Sequence, residues 1–321
     1  MKKPLVIITG PTAVGKTEYS IKLAKAINGE IISADSIQVY KYMDIGSAKI
    51  TPEEMEGIKH YMIDELDPGE EFNIALFKTK CRKYMDEIYS KGKIPIIAGG
   101  TGFYIQSVLY DIQFEDTNKN QAYREELELY AKINGPEVLH DMLRRVDDKS
   151  AEKIHYNNVK RVIRALEYYK ETGNKISEHN EEQSKNESPY NFVYIVLNDE
   201  RESVYDRIDK RVDIMIENGL VDEVKKLLDM GYSENLVSMQ GIGYKEIIQY
   251  IKGKITLEQA IYDIKINTRH FAKRQLTWFK REKNITMIYY PDYNHDKEMI
   301  LENIIKIVND TINKDNSKGA Q

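Results

Sequence analysis

The sequence predicts an α/β fold in which a parallel sheet flanked by helices is interrupted by an all-helical insertion. Three observations predict it. Residues 5–17, LVIITGPTAVGKT, pass from an apolar run through glycines into an amphipathic segment, the pattern of strand, loop and helix. Short apolar runs then alternate with segments of helical period up to about residue 115, and again from Phe192. From Asp116 to Ser188, strand signals vanish and apolar residues recur at helical spacing. The expected division is 1–115 with 189–321 as one body, and 116–188 as the insertion.

Gly10-Pro11-Thr12-Ala13-Val14-Gly15-Lys16-Thr17 fits the phosphate-loop pattern G-x-x-x-x-G-K-[ST] in its required context. The two glycines let the chain curl so that backbone N–H groups face one hollow. The following helix adds its positive end, Lys16 a full charge, and Thr17 a hydroxyl for Mg²⁺. The fold is therefore expected to be of the P-loop type, holding a di- or triphosphate. The motif alone does not say which.

Thr17 to Ile27 reads as a helix closed by Asn28-Gly29, and Glu30 to Ser33 as a second strand. Ligands of open parallel sheets sit beyond the carboxyl ends of strands. Asp35 therefore falls on the rim that carries the phosphate loop, where an acid binds Mg²⁺, acts as a base or caps the next segment. Thr51-Pro52-Glu53-Glu54 reads as a helix start, His60 to Asp64 as a short strand and Asn73 to Tyr89 as a helix. Lys93 to Ala98 reads as a buried strand running into Gly99-Gly100-Thr101-Gly102. Many P-loop ATPases carry an acid there. The glycines suggest instead a backbone that a ligand approaches closely, with Thr101 either facing that ligand or capping a helix.

In the insertion, Gly135-Pro136 marks a turn, and Glu178 to Glu187 reads as loop. Its basic residues include Arg144, Arg145, Lys149, Lys153, Lys160, Arg161 and Arg164, which either face solvent or meet a polyanion. Phe192 to Leu197 returns to the sheet. The next helix carries Arg207 and Arg211 four apart on one face, exposed or reaching over the phosphates. A glycine turn at 238–245 leads towards a basic, aromatic helix over Lys265–Lys283, then a last strand, Ile285 to Tyr289.

Composition sets outer limits. The chain has 321 residues, 41% hydrophobic, with net charge −5, so any nucleic-acid surface must be a local cluster. One cysteine, Cys81, excludes a disulfide framework and points to a reducing cytoplasm. The six histidines show no metal-ligand spacing. No apolar run approaches the roughly 18–20 residues of a membrane span. Met1 to Pro4 lead straight into the first strand, leaving no room for a signal peptide.

With those residues in view, the chain resembles the tRNA dimethylallyltransferase family, the adenosine-specific tRNA isopentenyl transferases of bacteria. The resemblance rests on GPTAVGKT at 10–17, ADSIQVYKYMDIGSAKIT at 34–51, HYMID at 60–64 and IPIIAGGTGFYIQ at 94–106. It continues through NNVKRVIRALEY at 157–168, RIDKRVDIMIENGL at 207–220, QGIGYKE at 240–246 and AKRQLTWF at 272–279. Two departures are Ser47 for the usual threonine and Tyr156 for the usual proline.

The resemblance implies transfer of a dimethylallyl group from dimethylallyl diphosphate to N6 of the adenosine adjacent to the anticodon. It makes residues 10–17 a cradle for a diphosphate leaving group, with Mg²⁺ on Thr17. Asp35, Thr101, Lys16 and Arg211, favoured over Arg207, become the expected catalytic groups. Asp35, Ser36, Ile37, Gln38 and Thr101 would read the base, and Arg124, Lys160, Arg161 and Arg164 would hold the anticodon stem-loop with the 265–283 helix. Neither a membrane nor an obligate protein partner is implied. The rivals are a P-loop small-molecule or nucleotide kinase and an RNA-binding switch without activity.

Overall fold

The structure is a computed structural model that describes residues 2–114 and 121–318. It contains two compact units, Met1–Leu109 with Pro189–Gln321, and Tyr110–Ser188. The expected boundary at 115/116 lies outside the described residues.

The first unit is built on a six-stranded parallel sheet. In chain order its strands are β1 (Lys3–Thr9), β2 (Gly29–Ala34), β3 (His60–Tyr61), β4 (Ile94–Gly99), β5 (Tyr190–Asn198) and β6 (Ile285–Tyr289). Their spatial order is β3-β2-β4-β1-β5-β6. Successive residues of β1 are buried on opposite faces, so Val6 and Ile8 join one core while Leu5 and Ile7 are buried on the other. Helix α1 (Lys16–Ile27) and the last helix (Lys297–Lys318) cover the first face with Leu23, Ala24, Ile300 and Ile304. Helix α2 (Ile74–Ser90) packs on β2 and β4, burying Phe77, Cys81, Met85 and Ile88. It starts where Asn73 Oδ1 accepts the Leu76 N–H at 3.0 Å. Helix α3 (Gly102–Leu109) follows β4.

Register fixes the rim. Ile8 pairs with Ala98, and Ala34 with Gly99, so β1, β2 and β4 end side by side. The Thr9 hydroxyl ties two of them by donating to Gly99 O at 2.7 Å. Gly10 (φ 147) passes so close to β5 that a Cβ would lie 2.3 Å from Leu197 O.

Several expected elements differ. At Thr51 the capping box forms, with Glu54 N–H donating to Thr51 Oγ1 and Thr51 N–H to Glu54 Oε2, yet only turns follow. Glu56 and Gly57 are left-handed (φ 48 and 78), which ends the helix before it propagates. The strand expected over 60–64 stops at Tyr61 because Met62 and Asp64 are left-handed. The basic helix begins earlier than Lys265, at Leu257, with Thr256 accepting the Gln259 N–H.

The second unit comprises helices Gln121–Asn134, Pro136–Val146, Asp148–Lys153, Val159–Thr172 and Ile176–Gln183, among the described residues. Leu127, Leu139, Leu143, Val162, Ile163 and Leu166 form its core. The expected loop over 178–187 is partly helical. Buried Asp147 explains this, since it accepts four hydrogen bonds, from the N–H and hydroxyl groups of Ser150 and Ser177, and pins that helix's start. Burial opposes the Asp147 charge, but the serine hydrogen bonds outweigh it and lower the pKa.

Candidate phosphate and nucleic-acid site

The loop after β1 is shaped by partners far away in sequence. Three side chains hold three consecutive residues of it. Gln275 Oε1 accepts the Thr12 N–H at 2.8 Å, Arg207 Nε donates to Ala13 O at 2.8 Å, and Tyr290 OH donates to Val14 O at 2.6 Å. Ala13 sits left-handed (φ 62), a conformation that costs an alanine about 1–2 kcal/mol and persists where surroundings over-determine it. Gly15 (φ 93) then opens α1.

Lys16 crosses the hollow, its Nζ donating to Gly10 O at 3.1 Å and Pro11 O at 2.7 Å. Desolvation, then the Arg211 charge, push its pKa down to about 7, while Asp35 opposes the change. An ammonium so disfavoured responds strongly to an arriving anion. Arg207 also donates to Asp199 at 2.8 Å, whose carboxylate is fully buried. Arg211 has no ion pair or hydrogen bond among the described residues and is exposed, though its surroundings still lower its pKa, through desolvation first. Of the two arginines, Arg211 is the one not committed to the protein.

Behind the loop lies a cavity of about 70 Å³, lined by Lys16, Thr17, Ser33, Asp35, Gln38 and Gly99 among others. Asp35 uses Oδ1 to accept the Ile37 and Gln38 N–H groups at 2.8 and 3.2 Å. It is thus a cap, but with one oxygen only, and Oδ2 remains for other work. The hydroxyls of Thr17 and Thr101 bond no protein group among the described residues. Thr101 starts α3 through its carbonyl, which accepts from Tyr104 and Ile105 N–H, so its side chain is not spent as a cap. A free hydroxyl on the phosphate-loop threonine, beside Asp35 in one cavity, fits a hard, oxygen-seeking cation such as Mg²⁺.

Gln38 is fully engaged, accepting from Ser33 Oγ and donating to Ser47 O and Ala48 O. It supports the loop over 43–49 rather than presenting a free amide. Ser36 and Ile37 lie half-buried on the same rim. His60, another cavity residue, hydrogen-bonds Ile58 O through Nδ1, and burial lowers its pKa.

Gly99 and Gly100 need correction. A Cβ on Gly99 would lie 2.4 Å from Ala34 O, and one on Gly100 2.1 Å from Gln275 Nε2. Protein atoms take the space where each Cβ would lie, although Gly99 also lines the cavity.

Residues that local sequence reading missed hold the 43–49 loop. Glu223, on the helix Leu220–Asp229, accepts from the N–H groups of Asp44, Ile45 and Gly46 at 2.9, 2.7 and 3.0 Å, and from Tyr244 OH at 2.8 Å. Buried Tyr244 fills the space a Gly46 side chain would need. Lys49, nearly enclosed, reaches Tyr40 O, Asp44 and Asp64. Ser47 keeps the role open to a hydroxyl, donating to Met43 O at 2.6 Å.

The basic residues divide. On the helix Leu257–Phe279, Lys265 and Arg269 pair with Asp213 and Asp209 of the helix Arg201–Glu217. Lys273, Arg274, Lys280 and Arg281 are exposed and have no counter-ion among the described residues, Arg274 lying over the Phe271 ring. In the second unit Arg124 is held bidentate by Glu167 at 2.8 and 2.6 Å, which leaves part of its guanidinium for another acceptor. Lys160 and Arg161 are exposed, and Arg164 is half-buried. Asp199, Glu200 and His295 bring ligand atoms within 4.8 Å of one another, but Arg207 already neutralises Asp199. No helix among the described residues is long and apolar enough to cross a membrane.

A parallel sheet with the phosphate-loop motif after its first strand, Lys16 across the hollow of that loop, and Asp35 brought to the same cavity from the end of β2, two strands away, defines an α/β fold of the P-loop type. Residues 38–282 match the IPP transferase family and residues 3–72 the isopentenyl transferase family. The chain is 58% identical to the tRNA dimethylallyltransferase of Lachnoclostridium phytofermentans, over 95% of this chain and 97% of that one. It is 53% identical to that of Acetivibrio thermocellus, over 92% and 95%. A solved tRNA isopentenylpyrophosphate transferase from Bacillus halodurans superposes with a TM-score of 0.72 at 44% identity, over 98% of this chain and all of that one. A eukaryotic dimethylallyltransferase acting on tRNA gives 0.77 at 34% identity, over 89% and 74%. The chain belongs to the tRNA dimethylallyltransferase (IPP transferase) family.

Proposed function

We propose that the chain transfers a dimethylallyl group from dimethylallyl diphosphate to N6 of the adenosine on the 3′ side of the anticodon in tRNA, releasing diphosphate. The observation that carries the reading is the shared cavity, where a phosphate cradle faces a carboxylate with one oxygen unspent, in a chain of this family.

The adenine N6 attacks the allylic carbon, and the bond from that carbon to the diphosphate oxygen breaks. Charge grows on the leaving group, where loop amides, Lys16 and Arg211 stabilise it; removing one such donor typically costs about 10²–10³ in rate. N6 becomes cationic and passes its proton to Asp35 Oδ2, general-base help worth roughly 10²–10⁴. The Thr101 hydroxyl, which bonds no protein group among the described residues, supplies a hydrogen bond to the reacting groups. Mg²⁺, held by the Thr17 hydroxyl, would supply further positive charge to the diphosphate. The base must leave its stack to reach the cavity, and Asp35 to Gln38 form the wall it meets. In the second unit Arg124, Lys160, Arg161 and Arg164, and in the first unit Lys273, Arg274, Lys280 and Arg281, which have no counter-ion among the described residues, are the cations assigned to phosphates of the anticodon stem-loop.

Unmodified tRNA, dimethylallyl diphosphate and Mg²⁺ without ATP should yield prenylated tRNA. ATP consumption with a small acceptor and no prenylated tRNA would make the chain a kinase. Asp35→Ala should abolish transfer and leave tRNA affinity largely intact. Near-normal turnover would remove Asp35 from the mechanism.

A further inference from the structure

Gln275 stands out because both ends of its amide are engaged by backbone groups of two different strand ends. It is buried, projecting from the helix Leu257–Phe279 into the gap between the phosphate loop and the end of β4. Its Oε1 accepts the Thr12 N–H at 2.8 Å, and its Nε2 donates to Gly100 O at 3.0 Å. The two strand ends bridged are those of β1 and β4, the walls of the hollow. Gly100 has room for no side chain because this amide occupies the space, 2.1 Å from an ideal Cβ. The bridge therefore depends on glycine on one side and glutamine on the other.

We infer that Gln275 is a positioning residue for prenyl transfer, which sets the width and the amide directions of the diphosphate cradle. The inference rests on the prenyl-transfer reading for its reaction, and on the loop geometry for its mechanism. By taking the Thr12 N–H, Gln275 turns that amide away from the hollow and fixes the chain one residue before left-handed Ala13. Arg207 and Tyr290 hold the next two carbonyls. The loop's remaining N–H groups are thereby aimed before the diphosphate arrives, and no reorganisation is needed as charge develops on it. Gln275 touches no reacting atom. Its chemical requirement is specific, an acceptor towards Thr12 and a donor towards Gly100, which of the side chains of this size only an amide supplies.

The test uses the full chain and inorganic pyrophosphate, measured by calorimetry without tRNA, beside steady-state prenyl transfer. Gln275→Met keeps the volume and removes both bonds. It should weaken pyrophosphate binding about 10-fold or more and raise the KM for dimethylallyl diphosphate, with the KM for tRNA within about twofold. Gly100→Ala should cost a similar factor in the wild-type background and little further in a Gln275→Ala background, because both changes break one bridge. Pyrophosphate affinity and donor KM unchanged in Gln275→Met, with only the thermal midpoint lowered, would make Gln275 a packing residue and overturn the inference. So would a Gly100→Ala cost that is the same in both backgrounds. If pyrophosphate binding responds as expected while the wild-type chain transfers no prenyl group, the reaction assignment fails and the bridge stands.

Discussion

Replacing Glu223 removes an acceptor that serves four donors at once, the amides of Asp44, Ile45 and Gly46 and the hydroxyl of Tyr244. Its carboxylate is half-buried, Gly46 and Ile45 lie in partly buried surroundings, and Tyr244 is fully buried. Hydrogen bonds to a charged group contribute about 1.5–3 kcal/mol when shielded, and less at the exposed Asp44 contact. Water can reach some of the freed donors in Glu223→Ala, so the expected loss is about 3–5 kcal/mol rather than the full sum. Glu223→Gln retains one acceptor oxygen but must turn an NH₂ towards two donors, and should lose about 1–2 kcal/mol.

The same loop braces Gln38 through Ser47 O and Ala48 O, and Gln38 follows directly on the Asp35 turn. The damage should therefore reach activity before global unfolding does. Hydrogen exchange at residues 44–46 should accelerate strongly in Glu223→Ala. The KM for tRNA should rise, and the affinity for pyrophosphate alone should stay near wild type. Unchanged exchange at these amides, with both variants within about 0.5 kcal/mol of wild type, would show that Glu223 does not organise this loop.

Three further outcomes separate the charged groups. Arg211→Ala should lower turnover about 10²–10³-fold without moving the thermal midpoint, whereas Arg207→Ala should lower the midpoint too, since it strands the buried Asp199 carboxylate. In metal-free buffer, sulfate should bind less well as Lys16 loses its proton. With a free-state pKa of about 7, affinity should fall about fivefold between pH 7 and 8, and a flat profile would refute the shift. tRNA affinity should decline with salt; Lys280→Ala should reduce the slope of log K against log salt by about 1, and Lys265→Ala, already paired with Asp213, should change it little.

What was legible in the sequence follows from which interactions are local. The sheet could be read because its strands are short apolar runs bounded by turn residues, and Ile285–Tyr289 emerged with the expected bounds. The phosphate loop could be read because its glycines, lysine and threonine are contiguous. The 51–57 segment could not. Its capping box is present and satisfied, so the start signal was correct. It was overruled by left-handed residues at 56 and 57, which set the direction of the chain into β3. A start signal specifies where a helix may begin; how far it runs is decided by packing.

The site shows the same limit more sharply. Thr12 and Gln275 are 263 positions apart, and Glu223 lies some 177–179 positions from the amides it holds. No periodicity or motif spacing links such pairs. Gly99 and Gly100 illustrate the consequence. Read locally, two glycines at a strand end signal room for a ligand. In the fold, one glycine lets β2 lie against β4 and the other admits the Gln275 amide. Both readings start from the same physical fact, that a Cβ would not fit. Only the three-dimensional neighbours say whose atoms take its place, and at Gly100 they belong to the Gln275 amide that also holds the Thr12 N–H of the phosphate loop.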